Sequence, residues 1–128
     1  MCDGTRILLV KSDESSDVTG FSRLHYPALN KSTAFTRAER ERFRLRGLLP
    51  ASIGTQDVQI NRIPGNLRRK ASDIERYIFM VALQARNERL FYRTLIEHIE
   101  ELMPIVYTPT VGQACKEFAH IVRQPRGF

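Results

Sequence analysis

The sequence predicts a mainly α-helical domain, on three observations. Helix start signals of the form Ser/Thr-x-x-Glu/Gln recur at Thr36, Ser72 and Thr110. Apolar residues after the second signal recur at three-and-four spacing. Proline and glycine fall where those stretches should turn or end. With 128 residues, 42% of them hydrophobic and 27% charged, the chain is one domain by size with a single modest core.

Each element has its own warrant. Residues 1–35 carry little periodicity, so an extended or partly disordered arm is expected, with a short strand at residues 7–10. Thr36 and Glu39 form a capping box that opens a helix anchored by Phe43, and Gly47 is placed to close it in the left-handed conformation. Leu48, Leu49 and Pro50 make an apolar turn. Thr55 starts a helix carrying Val58 and Ile63, which Pro64 and Gly65 should kink or end.

Ser72 and Glu75 form the second box. The helix that follows is apolar nearly all round (Ile74, Tyr77, Ile78, Phe79, Met80, Val81, Leu83), so it belongs deep in the core or at an interface. Asn87 caps the next helix, whose buried stripe should be Leu90, Phe91, Leu95, Ile99 and Leu102, with Pro104 ending it. Thr110 and Gln113 form the third box, opening a last helix to about Val122, which Pro125 and Gly127 stop.

Charge and cysteine content exclude several classes. The net charge is +6, but Arg37, Arg40, Arg42, Arg44 and Arg46 alternate with Glu39 and Glu41, as on a solvated helix face. No nucleic-acid module accompanies that charge, so binding to nucleic acid is the weaker reading. No apolar run reaches the length of a membrane span, and the apolar run after Arg6 is too short for a signal peptide, so a cytoplasmic protein is expected. Cys2 and Cys115 make neither a disulfide framework nor a structural zinc site. His25, His98 and His120 lack metal-ligand spacing. Cys115 is expected on the first turn of the last helix as a packing residue, and Lys116 and Glu117 as an exposed pair.

Chemistry concentrates at Tyr107. The run M-P-I-V-Y-T-P-T-V-G-Q-A-C places this phenol before a Thr108-Pro109 turn and three residues ahead of the helix start at Thr110. Free N–H groups and the helix dipole at such an end attract anions and favour an ionised phenol, a physical route to a tyrosine general acid. The alternative is a half-buried aromatic with a satisfied hydroxyl, and spacing alone favours it.

From Leu24 onward the chain resembles the N-terminal part of malic enzymes. The resemblance rests on N-K-S-T-A-F-T (30–36), R-G-L-L-P (46–50), E-R-Y-I-F-M-V-A-L-Q-A-R-N-E-R-L-F-Y-R (75–93) and E-E-L-M-P-I-V-Y-T-P-T-V-G-Q-A-C (100–115). It implies a variable arm at residues 1–23 and the family's helical domain at 24–128. The activity implied is oxidative decarboxylation of L-malate to pyruvate and carbon dioxide, with NAD or NADP and with Mg²⁺ or Mn²⁺. Tyr107 would protonate the enol of pyruvate, in a substrate pocket shaped by Thr108, Pro109 and Thr110.

The family's general-base lysine, metal carboxylates and dinucleotide domain lie beyond the matched stretches, and no G-x-G-x-x-G fingerprint occurs. The expectation is therefore a piece of the enzyme that is inactive alone and binds neither cofactor nor metal. The resemblance further implies a homodimer or homotetramer, and a dicarboxylate activator site at Gln59, Arg62 and Arg86, where two arginines could each grip a carboxylate. Departures from the activated pattern stand at Ser52, Gly54 and Glu97. Arg62 and Arg86 as plain interface or surface ion-pair residues is the alternative. The rival functions are a helical oligomerisation module, a malolactic enzyme and a basic nucleic-acid-binding domain.

Overall fold

The structure is a computed structural model that describes residues 17–122. Among these residues there are eight α-helices and no strand: α1 (Gly20–Leu24), α2 (Arg37–Arg42), α3 (Gln56–Arg68), α4 (Asp73–Arg86), α5 (Glu88–Glu97), α6 (Ile99–Val106), α7 (Thr110–Lys116) and α8 (Phe118–Ile121). The expected strand at residues 7–10 and the stop at Pro125 and Gly127 lie outside the described residues. None of the described helices is long and apolar enough to cross a membrane.

The first half forms a small layer. The expected arm is not wholly irregular: α1 and a 3-10 turn at Ser32–Ala34 lie within it. The α1 backbone is tied down by Gly20 N–H donating to the Phe43 carbonyl at 2.7 Å, and the Arg23 guanidinium stacks 3.4 Å from the centre of the Phe43 ring. The Thr36 capping box forms in both directions: Thr36 Oγ1 accepts from Glu39 N–H, and Glu39 Oε2 accepts from Thr36 N–H. Gly47 does not close α2. Arg44 does, at φ +56°, with Leu45 N–H donating to the Arg40 carbonyl and Arg44 N–H to that of Glu41. This is a Schellman closure with an arginine in the place glycine usually takes. Gly47 has φ +80° in the turn that follows.

Phe35, Phe43 and Leu45 make the layer's buried cluster, against Leu24 and Leu49. Arg40 is buried beside them. Its Nε donates to the Phe35 carbonyl, Nη1 to that of Pro50, and Nη2 to those of Thr33 and Ser52, at 2.6–3.1 Å. Four main-chain oxygens that would otherwise be costly to bury are satisfied by one side chain.

The second half is a helical body with the larger core. Thr55 caps α3 through Val58 N–H, and the helix runs on through Pro64 and Gly65 to Arg68. The proline therefore does not end it. Proline lacks only the N–H that would reach residue 60, and Ile60, Ile63 and Leu67 bury the helix face on both sides of it. Val58 is exposed and is not part of the core.

Ser72 caps α4, but Glu75 reaches back to Ala71 N–H rather than to Ser72, so that box is half formed. Tyr77, Met80 and Leu83 are the buried face of α4; Ile74, Ile78, Phe79 and Val81 pack at its margins. Burial pushes the Tyr77 phenol above its ordinary range.

Asn87 caps α5 through Leu90 N–H. The helix breaks at His98, not at Pro104, which lies inside α6. Ile99 is 40% exposed, outside the stripe assigned to it, because the break at His98 turns α6 so that Leu102 and Ile105 face inward. The last helix is likewise two: α7 ends before Glu117 and α8 follows. Cys115 is thus on the last turn of α7 and is exposed. Glu117 Oε1 accepts from Gln113 Nε2 instead of pairing with Lys116.

Candidate active site at the Tyr107 turn

The turn between α6 and α7 is built from one carbonyl outward. In a longer α6 the Pro104 carbonyl would accept from the N–H of residue 108. The chain leaves the helix at Tyr107 (φ −129°, ψ −148°), and the Thr108–Pro109 peptide is cis. The Thr110 hydroxyl takes over, donating to the Pro104 carbonyl at 2.7 Å, and Thr110 is 3% exposed. It is therefore the first residue of α7 and not its cap; the expected third capping box does not form.

The start of α7 also fails to offer the anion site expected of it. Val111 N–H donates to the Tyr107 carbonyl at 2.8 Å, and Gly112 and Gln113 N–H to that of Pro109. Pro109 has no N–H, and two of the three donors that the helix start leaves open, on Val111 and Gly112, are thus already used, so the start of α7 has little left for a ligand. What the turn does provide is display. Thr108 and Pro109 are exposed, and Tyr107 is 64% exposed with its main chain pinned on both sides, by Met103 through its N–H and by Val111 through its carbonyl.

The second set of residues is brought together in part. Gln59 Nε2 donates to the Lys31 carbonyl and the Thr33 hydroxyl, and Asn30 Nδ2 donates to the Arg86 carbonyl at 2.8 Å. Segment 30–33 thus joins Gln59 to the end of α4. Arg62 and Arg86 are exposed, with no ion pair among the described residues. The Gln59 amide nitrogen, though, is committed to that segment, and its Oε1 is buried without a partner among the described residues. In this pose Gln59 holds structure and does not present a donor to a carboxylate.

A cavity of about 190 Å³ lies on the other side of Pro104, between the ends of α3, α4 and α6. Arg68, Asp73, Arg76 and Glu101 line it in two opposite-charge pairs over Leu67 and Ile105, so it carries no net charge. Tyr107 does not reach it.

Sequence reasoning missed Arg40, Asn30 and the Thr110 hydroxyl bond. Their carbonyl partners lie 5 to 56 residues away in sequence, outside the span of a capping motif, and no local pattern announces such contacts. A threonine six residues after a helical proline was the one available hint for the last.

Residues 84–128 match the family model for the malic enzyme N-terminal domain. The chain is 49% identical over 113 residues to the chloroplastic NADP-dependent malic enzyme of Oryza sativa subsp. japonica, covering 88% of this chain and 18% of that protein. It is 47% identical over 114 residues to NADP-dependent malic enzyme 2 of Arabidopsis thaliana, covering 89% and 19%. It is 47% identical over 109 residues to the NADP-dependent malic enzyme of Homo sapiens, covering 85% and 19%. The chain spans about a fifth of the length of these relatives. With near-half identity across most of its length, and with the matched domain model enclosing the Tyr107 turn, the chain is similar to the N-terminal side of malic enzymes.

Proposed function

We propose that this chain acts as the N-terminal region of an NADP-dependent malic enzyme, which converts L-malate to pyruvate and carbon dioxide. The choice of NADP over NAD follows the relatives, whose names carry it. Tyr107 is the general acid: once carbon dioxide has left, its O–H gives a proton to the enol carbon and pyruvate forms. The observation that carries this reading is the display of the phenol on a turn locked by Thr110. Thr108 and Pro109 bound the same opening.

Among the described residues, no three His, Cys, Asp or Glu side chains stand together as a metal site. The sequence has no glycine fingerprint for a dinucleotide. On this reading the share of the chemistry that falls to this chain is the proton. The chain alone is expected to form no NADPH from malate. When it replaces the matching part of the rice enzyme, Tyr107→Phe should lower kcat by about 10²- to 10⁴-fold with little change in KM for malate. Undiminished turnover in that variant would overturn the acid role, and NADPH formation by the 128-residue chain would overturn its dependence on other residues.

A second site is favoured by two exposed arginines that have no ion pair among the described residues. Arg62 and Arg86, with Gln59 on the same helix as Arg62, are proposed to take a dicarboxylate effector of the fumarate type. Binding would need the Gln59 amide to leave Thr33. Calorimetric titration of fumarate decides it: heat that vanishes in Arg62→Ala supports the site, and no heat removes it. As implied for the family, the enzyme would work as a homo-oligomer.

A further inference from the structure

The connection between α3 and α4 sets a hydroxyl just behind a run of cations. Arg68, Arg69 and Lys70 precede Ser72, and every residue from 68 to 73 is exposed. Among the serines and threonines of the sequence, Ser72 alone has a cation at both the second and the third position before it. Arg68 faces Glu101 at 3.7 Å, whereas Arg69 and Lys70 make no ion pair among the described residues. Cations suit the end of α3, where the helix dipole is negative. The exposed hydroxyl that follows gives these two a second use.

We infer that Ser72 is a phosphorylation site, taken by a serine kinase that selects its target by the two cations before it. The inference stands apart from the role given to Tyr107. The phosphoryl donor is a nucleoside triphosphate. Ser72 Oγ attacks its terminal phosphorus, and the bond from that phosphorus to the bridging oxygen breaks. The nucleoside diphosphate leaves, and the hydroxyl proton passes to the catalytic carboxylate of the kinase. Ser72 is already extended, at φ −138° and ψ 162°. Little holds the connection shut. Glu75 N–H reaches Ser72 Oγ at 3.4 Å and Arg76 Nη2 reaches the Lys70 carbonyl at 3.5 Å, both at the far end of hydrogen-bond range. Lys70 N–H donates to the Leu67 carbonyl at 3.0 Å and Ala71 N–H to Glu75 Oε2 at 2.8 Å. A segment held by a few exposed bonds opens while the helices beside it stay folded.

The phosphate also has a place to settle. Ser72 is the N-cap of α4, a helix of 14 residues, so a phosphate there meets open N–H groups and the positive end of the dipole. Asp73 and Glu75 oppose it; Arg68, Arg69, Lys70 and Arg76 favour it. Arg76 already spans the connection, with Nη1 on Asp73 at 2.5 Å and Nε on the Leu67 carbonyl at 3.2 Å. A phosphate with close to two charges competes with Asp73 for that guanidinium and repels Glu75 from Ala71 N–H. Since the cations outnumber the carboxylates, the phosphate orders the start of α4 and does not melt it.

Incubation of the 128-residue chain with ATP and the cyclic-AMP-dependent protein kinase, followed by mass-spectrometric mapping, tests this. One phosphoryl group per chain is expected, on Ser72. Ser72→Asn keeps a capping side chain and should take up none. Arg69→Gln with Lys70→Gln should lower kcat/KM for phosphorylation by at least about 30-fold, with circular dichroism confirming that each variant keeps its helices. In the phosphorylated chain, amide hydrogen exchange at residues 73–76 should slow by about two- to fivefold. No phosphate, or phosphate only on other residues, overturns the site. A rate indifferent to the paired glutamine substitutions overturns its selection by charge. Exchange that is unchanged or faster after phosphorylation overturns the docking of the phosphate on α4.

Discussion

Thr110 illustrates how one hydroxyl can hold a site in place. The Pro104 carbonyl depends on it, since the chain has left the helix before a main-chain N–H could reach back. Thr110→Val removes that donor at nearly constant volume and leaves the carbonyl unsatisfied. A loss of about 1–3 kcal/mol in urea unfolding is expected, and Thr110→Ser should regain most of it. Equal stability in the valine variant would show that water serves the carbonyl as well. At this scale the sequence was half legible. Tyr107 stood out through the turn that follows it, and the family motif gave it a role. The bonding of Thr110 was misread, because a threonine three residues before a glutamine looks the same whether its hydroxyl turns forward to cap or back to a carbonyl. The resemblance made Gln59 a ligand, and in the structure its amide nitrogen is spent on a segment almost thirty residues away in sequence, a contact that no local pattern announces.

At the scale of the element, starts were legible and ends were not. Thr36, Thr55, Ser72 and Asn87 each cap where expected, since capping is decided within four residues. Ends depend on what the helix meets. Pro64 and Pro104 sit inside helices whose buried faces continue past them, and His98 and Glu117 interrupt runs that periodicity alone would extend. The α2 cap also carries a pH signature. Burial alone would raise the Glu39 carboxyl, but Lys31 Nζ, the Thr36 N–H and the Thr36 hydroxyl outweigh it and hold it below its ordinary value. A depressed folded pKa gives stability that is present above the unfolded pKa and is lost as pH falls through the folded one. Glu39→Gln should therefore cost about 0.5–1 kcal/mol near neutral pH, with the gap to wild type closing under acid. Melting curves across an acid series check this; a gap that persists at the acid end would place the effect in packing and not in charge.

For the whole molecule, two apolar clusters stand in place of the single core that length suggested. The Phe35 cluster belongs to the layer of α1 and α2, and the larger one to α3 through α7. Polar bonds link them: Asn30 to the Arg86 carbonyl, Glu88 N–H to the Pro27 carbonyl at 3.0 Å, and Gln59 to segment 30–33. Asn30 is 8% exposed and also receives Ser32 N–H on its Oδ1, so it is the hub of the link. Asn30→Ala should raise hydrogen exchange at residues 20–50 well before it does so in α4 to α6, because polar links give way more locally than a shared apolar core. Uniform loss of protection across both halves would show one cooperative unit. Composition and periodicity reveal how much apolar surface a chain must bury, but not into how many clusters, since that depends on which distant segments meet.

Arg40 has a consequence for how the first layer comes apart. Its four carbonyls come from two segments, at residues 33–35 and 50–52. Peeling either segment away would strand a cation in a buried place with half its partners gone, which is costlier than releasing both. The two segments therefore share a single latch: they open together or stay shut, and fraying that starts at one is passed to the other through one guanidinium.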